Sequence, residues 1–294
     1  MKEELSLVIL LSNPAPDELV LKRIEHILKK NLNWYTVFYI SLKERTTYLI
    51  CENLLRYHYF WMVPDYLRIV WDTAYIGNIK RNKQLLHYYE IFKNKFSENG
   101  IWTMPGNGIM LLGSVFQDML GVRLLHDIDF FTQKKYLEAI DTLMHSLDFK
   151  KIYINDKDRL SNLFQISEYS VLYSKYTFSA YINCDFCCCT KENPALYDWL
   201  IDNINHNQAM GYDFMQLIML YLSADKSWNG HYFANNVKHY TYSRLLDIYL
   251  YKKKYANFNI RELLHVIPDG TALIKKMHDI DNALNFFKKE GYLT

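Results

Sequence analysis

The chain has 294 residues, of which half are apolar and 22% are charged, and its formal net charge is +2 at pH 7. This near balance argues against bulk nucleic-acid binding, because proteins with that role carry a strong basic excess. No run of about 18 apolar residues occurs, so the sequence predicts no membrane span. The length allows one large domain or two modest ones.

The first hundred residues predict a helical region with no chemistry of its own. Apolar residues recur at helical spacing after Asp17, and further helical runs begin near Asn33 and Tyr48. A long amphipathic helix is expected from about Pro64 to Phe96. Its basic residues are interpreted as a solvated face: Lys80, Arg81, Lys83, Lys93 and Lys95.

The segment 101–131 carries the first candidate site. A short strand is expected over 101–104, followed by the glycine-rich turn Pro105-Gly106-Asn107-Gly108 and a helix over 109–120. The amide dipoles of that helix point back at the turn, which is the arrangement that binds anions. Turn, helix and the strand that follows predict a phosphate-and-metal site.

Two carboxylates, Asp127 and Asp129, stand on the predicted strand after this helix. Strand side chains alternate, so both project from one face while Ile128 and Phe130 enter the core. Paired carboxylate oxygens suit Mg²⁺ bound to nucleotide phosphates. The alternative is an ordinary surface strand with two solubilising acids, since Asp-x-Asp alone is a weak motif.

The segment 133–188 predicts a helix over 133–147 and strands over 150–154, 163–173 and 177–188. On the last strand Ile182, Cys184 and Phe186 share the apolar face, so Asp185 points to the other side. If this strand neighbours the Asp127/Asp129 strand, three carboxylates can hold two Mg²⁺ ions. An outward surface carboxylate explains Asp185 equally well.

The rest of the chain predicts helices over 212–223, 235–254, 260–266 and 271–289. The expected fold is therefore α+β: a small mixed β-sheet core over 101–190, flanked by an N-terminal helical region over 1–100 and a C-terminal helical region over 191–294. His126 is expected to pack, because strand alternation turns it away from Asp127.

The chain has five cysteines: Cys51, Cys184, Cys187, Cys188 and Cys189. The last four are crowded together, and adjacent residues of a strand point to opposite faces, so the cluster is poorly placed for disulfides. We expect a reduced, cytoplasmic setting and cysteine as a small core residue. A zinc site at Cys184 and Cys187 lacks the second ligand pair that four-coordinate zinc needs.

The pattern resembles the uncharacterised nucleotidyltransferase family of bacterial proteins, within the DNA polymerase beta-like nucleotidyltransferase superfamily. Gly100-Ile101 and Met104-Pro105-Gly106 match the start of its core, and Arg123 stands at the family's spacing before Asp127-Ile128-Asp129. Further matches are Asn33-Trp34-Tyr35, Leu147-Asp148-Phe149, the segment 220–227 and Arg244-Leu245-Leu246-Asp247-Ile248. The chain departs from the family at Pro105, where a lysine is usual, and at Ser223 and Ser227, where histidines are usual. A histidine of the third-strand motif is also absent, at Asp185-Phe186-Cys187.

The resemblance implies an enzyme that moves a nucleoside monophosphate from a nucleoside triphosphate such as ATP to a hydroxyl or phosphate of a small molecule, peptide or protein. Asp127, Asp129 and Asp185 would be the catalytic and metal-binding residues of a two-Mg²⁺ site. Gly106, Asn107, Gly108, Arg123 and Lys226 would bind the nucleotide. Arg123 has a structural alternative, an ion pair with Asp127, and Arg244 and Asp247 are expected to tie the helical lobe to the core. The alternatives are an inactive nucleotide- or partner-binding relative, which the departures favour, and an antitoxin-like regulator with a protein partner.

Overall fold

The computed structural model describes residues 2–152, 169–177, 181–188, 216–218, 220–221, 224, 240–255 and 271–293. Within these ranges the fold is α+β, as expected: helices flank one five-stranded mixed sheet. No helix in the described ranges combines the length and apolarity that a membrane span requires.

Five helices precede the sheet. α2 and α3 begin at side-chain caps, because the Asp17 and Asn33 oxygens accept hydrogen bonds from the amides of Val20 and Thr36. The long predicted helix is confirmed, and it ends before Gly100, whose φ of 63° suits only glycine well. The bounds are α1 Lys2–Leu11, α2 Glu18–Leu28, α3 Trp34–Lys43, α4 Thr47–Arg56 and α5 Asp65–Glu98.

The sheet has the order β1-β2-β5-β4-β3, and β2 and β5 run parallel while the other neighbours are antiparallel. This pairing places the Asp127/Asp129 strand beside the Asp185 strand. The sequence alone did not decide whether these two strands are neighbours. The first part of the predicted strand 163–173 lies outside the described residues. The bounds are β1 Thr103–Pro105, β2 Ile128–Thr132, β3 Lys150–Ile152, β4 Tyr169–Tyr176 and β5 Tyr181–Cys188.

The C-terminal half of α5 packs against one face of the sheet. Phe96 lies edge-on to Phe130 of β2 and to Phe186 of β5, with ring centroids 5.3 and 5.7 Å apart. Phe130 and Phe186 stack on each other at 5.3 Å. All three rings are buried, so this apolar face holds β2 and β5 rigidly and leaves their opposite face for the acidic residues.

Four further helices have both ends within the described ranges: α6 Asn107–Ser114, α7 Leu137–Ser146, α8 Tyr242–Lys254 and α9 Thr271–Lys289. The predicted helix 133–147 is therefore shorter, and 271–289 is confirmed. Of the predicted helix 235–254 the structure describes 240–254, and there the helix begins at Tyr242. The predicted helix 260–266 and much of 212–223 lie outside the described residues. Among the cysteines within the described ranges, Cys51, Cys184 and Cys187 are buried and form no disulfide, as expected of core residues.

Candidate active site

The three predicted carboxylates come together at the β2–β5 pair. Asp129 and Asp185 stand directly opposite each other in the parallel register, and Asp127 lies just before β2. One ligand oxygen from each carboxylate lies within 4.8 Å of the others. Ile128 of β2 and Cys184 of β5, which alternate with the acids, are completely buried, so the predicted split between an apolar and an acidic face is confirmed.

Burial and neighbouring acids dominate the electrostatics of this cluster, and the positive charge of Arg244 opposes the rise in the pKa of Asp127 and Asp129 only in part. Burial raises the pKa of Asp129 well above its usual value, and the neighbouring Asp127 and Asp185 raise it further. Burial and Asp127 raise the pKa of Asp185 to about 7. The pKa of Asp127 is raised chiefly by burial. Clustered carboxylate oxygens with raised pKa values are the ligand set that a hard divalent cation binds and compensates.

The glycine-rich turn lies directly against Asp129. The Gly106 amide donates a 2.6 Å hydrogen bond to the Asp129 carbonyl, and a Cβ at position 106 would stand 2.4 Å from the Asp129 Cβ. Gly106 is also the N-cap of α6, so no side-chain oxygen covers the first-turn amides of this helix. The helix therefore begins two residues earlier than predicted, at Asn107, and it ends at Ser114. Its positive end lies beside the carboxylates.

Arg123 has a different ionic partner from the one considered in the sequence. Its guanidinium lies 2.7 Å from Asp247 of α8, and Arg244 approaches the same carboxylate at 3.9 Å. Asp247 is 1% exposed, so these contacts tie α8 to the segment before β2, as expected for Arg244 and Asp247. Arg123 also lines the cavity in front of the carboxylates. The predicted nucleotide-binding residue Lys226 lies outside the described residues.

This cavity, of about 650 Å³, opens in front of Asp127 and Asp129. Much of its lining comes from α3, α4 and the turn between them, a contribution that the sequence did not indicate. The expectation that His126 packs is wrong: its side chain is exposed and lines the cavity, because the residue precedes β2 and escapes strand alternation. The lining residues are Tyr39, Leu42, Lys43, Arg45, Thr47, Tyr48, Gly108, Arg123, Leu124, Leu125, His126, Asp127, Asp129 and Arg244.

Three polar side chains of α5 hold the segment that leads into β2. The Asn78 amide donates to the carbonyls of Gly121 and Arg123, and the Asn82 amide donates to those of Leu120 and Arg123. Arg81 donates to the His126 carbonyl, so it is not part of a merely solvated face. The sequence gives only a weak indication of these hydrogen bonds, because it shows two asparagines one helical turn apart on a face that also carries apolar residues.

The family model described as "Uncharacterised nucleotidyltransferase" matches residues 30–267. This match covers more than half of the chain, so the protein belongs to the uncharacterised nucleotidyltransferase family. The matched range contains the carboxylate cluster, the Gly106–Gly108 turn and the lining residues of the cavity. Neither a curated protein nor a solved structure matches the chain.

Proposed function

We propose that this member of the uncharacterised nucleotidyltransferase family is an active, Mg²⁺-dependent enzyme of the DNA polymerase beta-like type. It transfers a nucleoside monophosphate from a nucleoside triphosphate to a hydroxyl or phosphate of an acceptor. The observation that carries the proposal is the convergence of Asp127, Asp129 and Asp185 within 4.8 Å, where Asp127 and Asp129 line a cavity. Fold membership alone does not establish activity, whereas this donor set supplies a reason for metal binding.

The reaction forms one bond and breaks one. An acceptor oxygen attacks the α-phosphorus, the bond from that phosphorus to the β-phosphate oxygen breaks, pyrophosphate leaves, and the proton of a hydroxyl acceptor is released to solvent. Asp127, Asp129 and Asp185 would hold Mg²⁺. The ion would neutralise phosphate charge and lower the pKa of a coordinated hydroxyl.

Positioning supplies much of the catalysis in phosphoryl transfer, because little covalent chemistry is left for the protein. The turn Gly106–Gly108 offers backbone amides at the N-terminus of α6, next to Asp129. A side chain at position 106 would occupy the space that the phosphates need, since its Cβ would already touch Asp129. Tyr39 and Tyr48 line the same cavity and give a nucleobase or an acceptor an aromatic surface.

An inactive relative is the competing function, and the carboxylate cluster argues against it. Burial raises the pKa of all three acids, and acidic neighbours raise it further at Asp129 and Asp185, so the charged forms destabilise a metal-free fold. A protein that had lost its activity would gain stability by replacing any of them. That all three are present, at one place on two strands, supports an enzyme.

Calorimetric titration tests the proposal. ATP, GTP, CTP and UTP are titrated into the wild-type protein with Mg²⁺ and with a chelator, and into Asp127→Asn/Asp129→Asn. We expect binding of at least one nucleotide that requires Mg²⁺ and is lost in the double variant. Asp118→Asn is the matched control, because Asp118 is exposed and lies outside the cavity. If none of the four nucleotides shows Mg²⁺-dependent binding to the folded wild-type protein, the proposal of an active enzyme is refuted.

A further inference from the structure

The first half of α5 has an apolar face that is exposed. Ile69 is 69% exposed and Val70 is 50% exposed, and neighbours on the same face recur at a helical spacing of three or four residues. The residues of this face form the α5 stripe: Tyr66, Ile69, Val70, Thr73, Ile76, Gly77 and Lys80. The opposite side of α5 carries Leu67, Trp71 and Tyr75, which are buried. α5 therefore has two apolar sides, and one of them is exposed in the described part of the chain.

The apolar character of this face does not continue along the whole helix. From position 80 onwards the same face carries Lys80, Lys83 and His87, which are exposed. The patch widens instead onto α3, because Tyr35, 64% exposed, stacks on Tyr66 with the ring centroids 5.2 Å apart. Exposed apolar residues that are contiguous, rather than scattered singly, are typical of a surface that contacts another protein.

Gly77 leaves a depression in the α5 stripe. A Cβ at this position would meet nothing within 4 Å, so the space above the glycine is open. Glycine inside a helix lowers the stability of the helix relative to alanine, and Gly77 lies well inside the 34-residue α5. The open space accommodates a side chain from a neighbouring helix, as the packing of ridges into grooves requires.

The α5 stripe is complementary in shape to itself. A two-fold axis at Thr73 brings residues before Thr73 opposite residues at about the same distance after it, in two antiparallel copies of α5. Val70 of one copy then lies over Gly77 of the other, and Ile69 packs against Ile76. A branched side chain thus meets the depression, and each contact occurs twice across the axis.

The charges at the two ends of the stripe match in the same arrangement. Asp65 lies before Thr73, and Lys80 and Lys83 lie after it, at about 10–15 Å along the helix axis in each case. Asp65 is exposed and forms an ion pair with Arg68 of its own helix. In the antiparallel pair the Asp65 carboxylate of one copy also faces the two lysines of the other. Parallel helices would bring like charges together instead.

We propose that the protein forms a homodimer through the α5 stripe, with the two α5 helices antiparallel about a two-fold axis at Thr73. The partner is a second copy of the chain because both the shape and the charge of the stripe are complementary to the stripe itself. The stripe extends about 21 Å from Tyr66 to Lys80, and Tyr35 adds contact area at its edge. The dimer goes beyond the proposed function and does not depend on it.

Sedimentation equilibrium at protein concentrations up to about 0.1 mM tests the proposal. Wild type is compared with Ile69→Asp and with the control Leu19→Asp. Leu19 of α2 is 67% exposed and lies outside the stripe, so the two substitutions place the same charge at equally exposed apolar positions. Circular dichroism checks that both variants keep the wild-type helix content.

We expect wild type and Leu19→Asp to form dimers of twice 35.2 kDa. Ile69→Asp should raise the dissociation constant of the dimer at least about a hundredfold, because the apolar contact is replaced by a charge twice across the axis. A wild-type protein that is monomeric at the highest concentration would overturn the proposal. A dimer that Ile69→Asp leaves intact would overturn it as well.

Charge reversal tests the antiparallel arrangement independently. Asp65→Lys and Lys83→Glu should each weaken the dimer about threefold to tenfold, and the double variant should recover the wild-type dissociation constant, because it restores an opposite-charge pair across the axis. Lys93→Glu, at an exposed position of α5 beyond the stripe, is the control and should leave the dimer unchanged. A double variant that dimerises no better than the single variants would overturn the proposed arrangement.

Discussion

Replacing Asp185 by asparagine tests the charge balance of the site directly. The pKa of Asp185 is raised from 3.8 to about 7, because its carboxylate is buried and faces Asp127. A pKa difference of one between the folded and unfolded states corresponds to about 1.4 kcal/mol, so the charged form opposes folding by roughly 4 kcal/mol as an upper limit. Relaxation of the site and partial solvent contact reduce this value. We expect metal-free Asp185→Asn to be more stable than wild type by about 1–3 kcal/mol at about pH 8.

The pH dependence of this gain follows from the direction in which folding moves the pKa. Below the unfolded-state pKa of 3.8 the carboxyl is protonated in both states and contributes nothing. Between that value and about 7 the folded state holds a proton that the unfolded state has lost, so wild-type stability falls as the pH rises. Above about pH 7 the carboxyl is ionised in both states, so wild-type stability no longer falls. The advantage of Asp185→Asn is therefore largest at about pH 8 and shrinks by more than half at about pH 5.

Urea unfolding in the presence of a chelator measures both quantities. Wild type, Asp185→Asn and the exposed control Asp118→Asn are compared at the two pH values, and only differences from wild type are used, because other groups titrate as well. Saturating Mg²⁺ should reverse the order, since the variant lacks one ligand. The reasoning is refuted if metal-free Asp185→Asn is less stable than wild type at about pH 8, or if its gain is the same at both pH values.

Three further results are expected. Mg²⁺ at about 100 times its dissociation constant should stabilise wild type by about 2.7 kcal/mol in thermal unfolding, and Asp129→Asn should lose this effect. Gly106→Ala should lower the affinity for nucleotide in the presence of Mg²⁺ at least about tenfold, because its Cβ would displace Asp129. The control Gly77→Ala should keep the wild-type affinity, because a Cβ at this position of α5 meets nothing within 4 Å. Asn82→Ala should lower the free energy of unfolding by about 1–3 kcal/mol, since two backbone carbonyls lose their donor. The control Asn99→Ala, at an exposed position, should change the free energy of unfolding by less than about 0.5 kcal/mol. Unchanged nucleotide affinity in Gly106→Ala, or equal stability of the two asparagine variants, would contradict the positions assigned to these residues.

The acidic face of β2 and β5 was predictable because it depends on local alternation alone. Ile128 and Cys184 are buried while Asp129 and Asp185 point the other way, as a period of two requires. The neighbourhood of the two strands was not predictable in the same way, since a parallel pairing joins residues more than fifty positions apart and no local pattern encodes its register. His126 shows the limit of alternation: the strand begins at Ile128, so the rule did not apply two residues earlier.

The helical part of the cavity lining was hidden from the sequence for a different reason. The turn at Arg45 carries no glycine, so nothing marks the end of α3 as a left-handed position, and an arginine there reads as a surface residue. Arg123 and Arg244, which line the same cavity, come from segments far apart in the chain. The meeting of such segments is a property of the tertiary structure, and no local pattern encodes it.

The charge of the carboxylate cluster determines how a metal ion and a nucleotide should affect each other's binding. A cation at Asp127, Asp129 and Asp185 would remove the repulsion that an incoming phosphate meets from these acids. Metal and nucleotide should therefore each raise the affinity of the other, and by thermodynamic linkage the two factors must be equal. The helices before the sheet contribute residues to the lining of the same cavity, whereas their own sequence predicts only a helical region without chemistry.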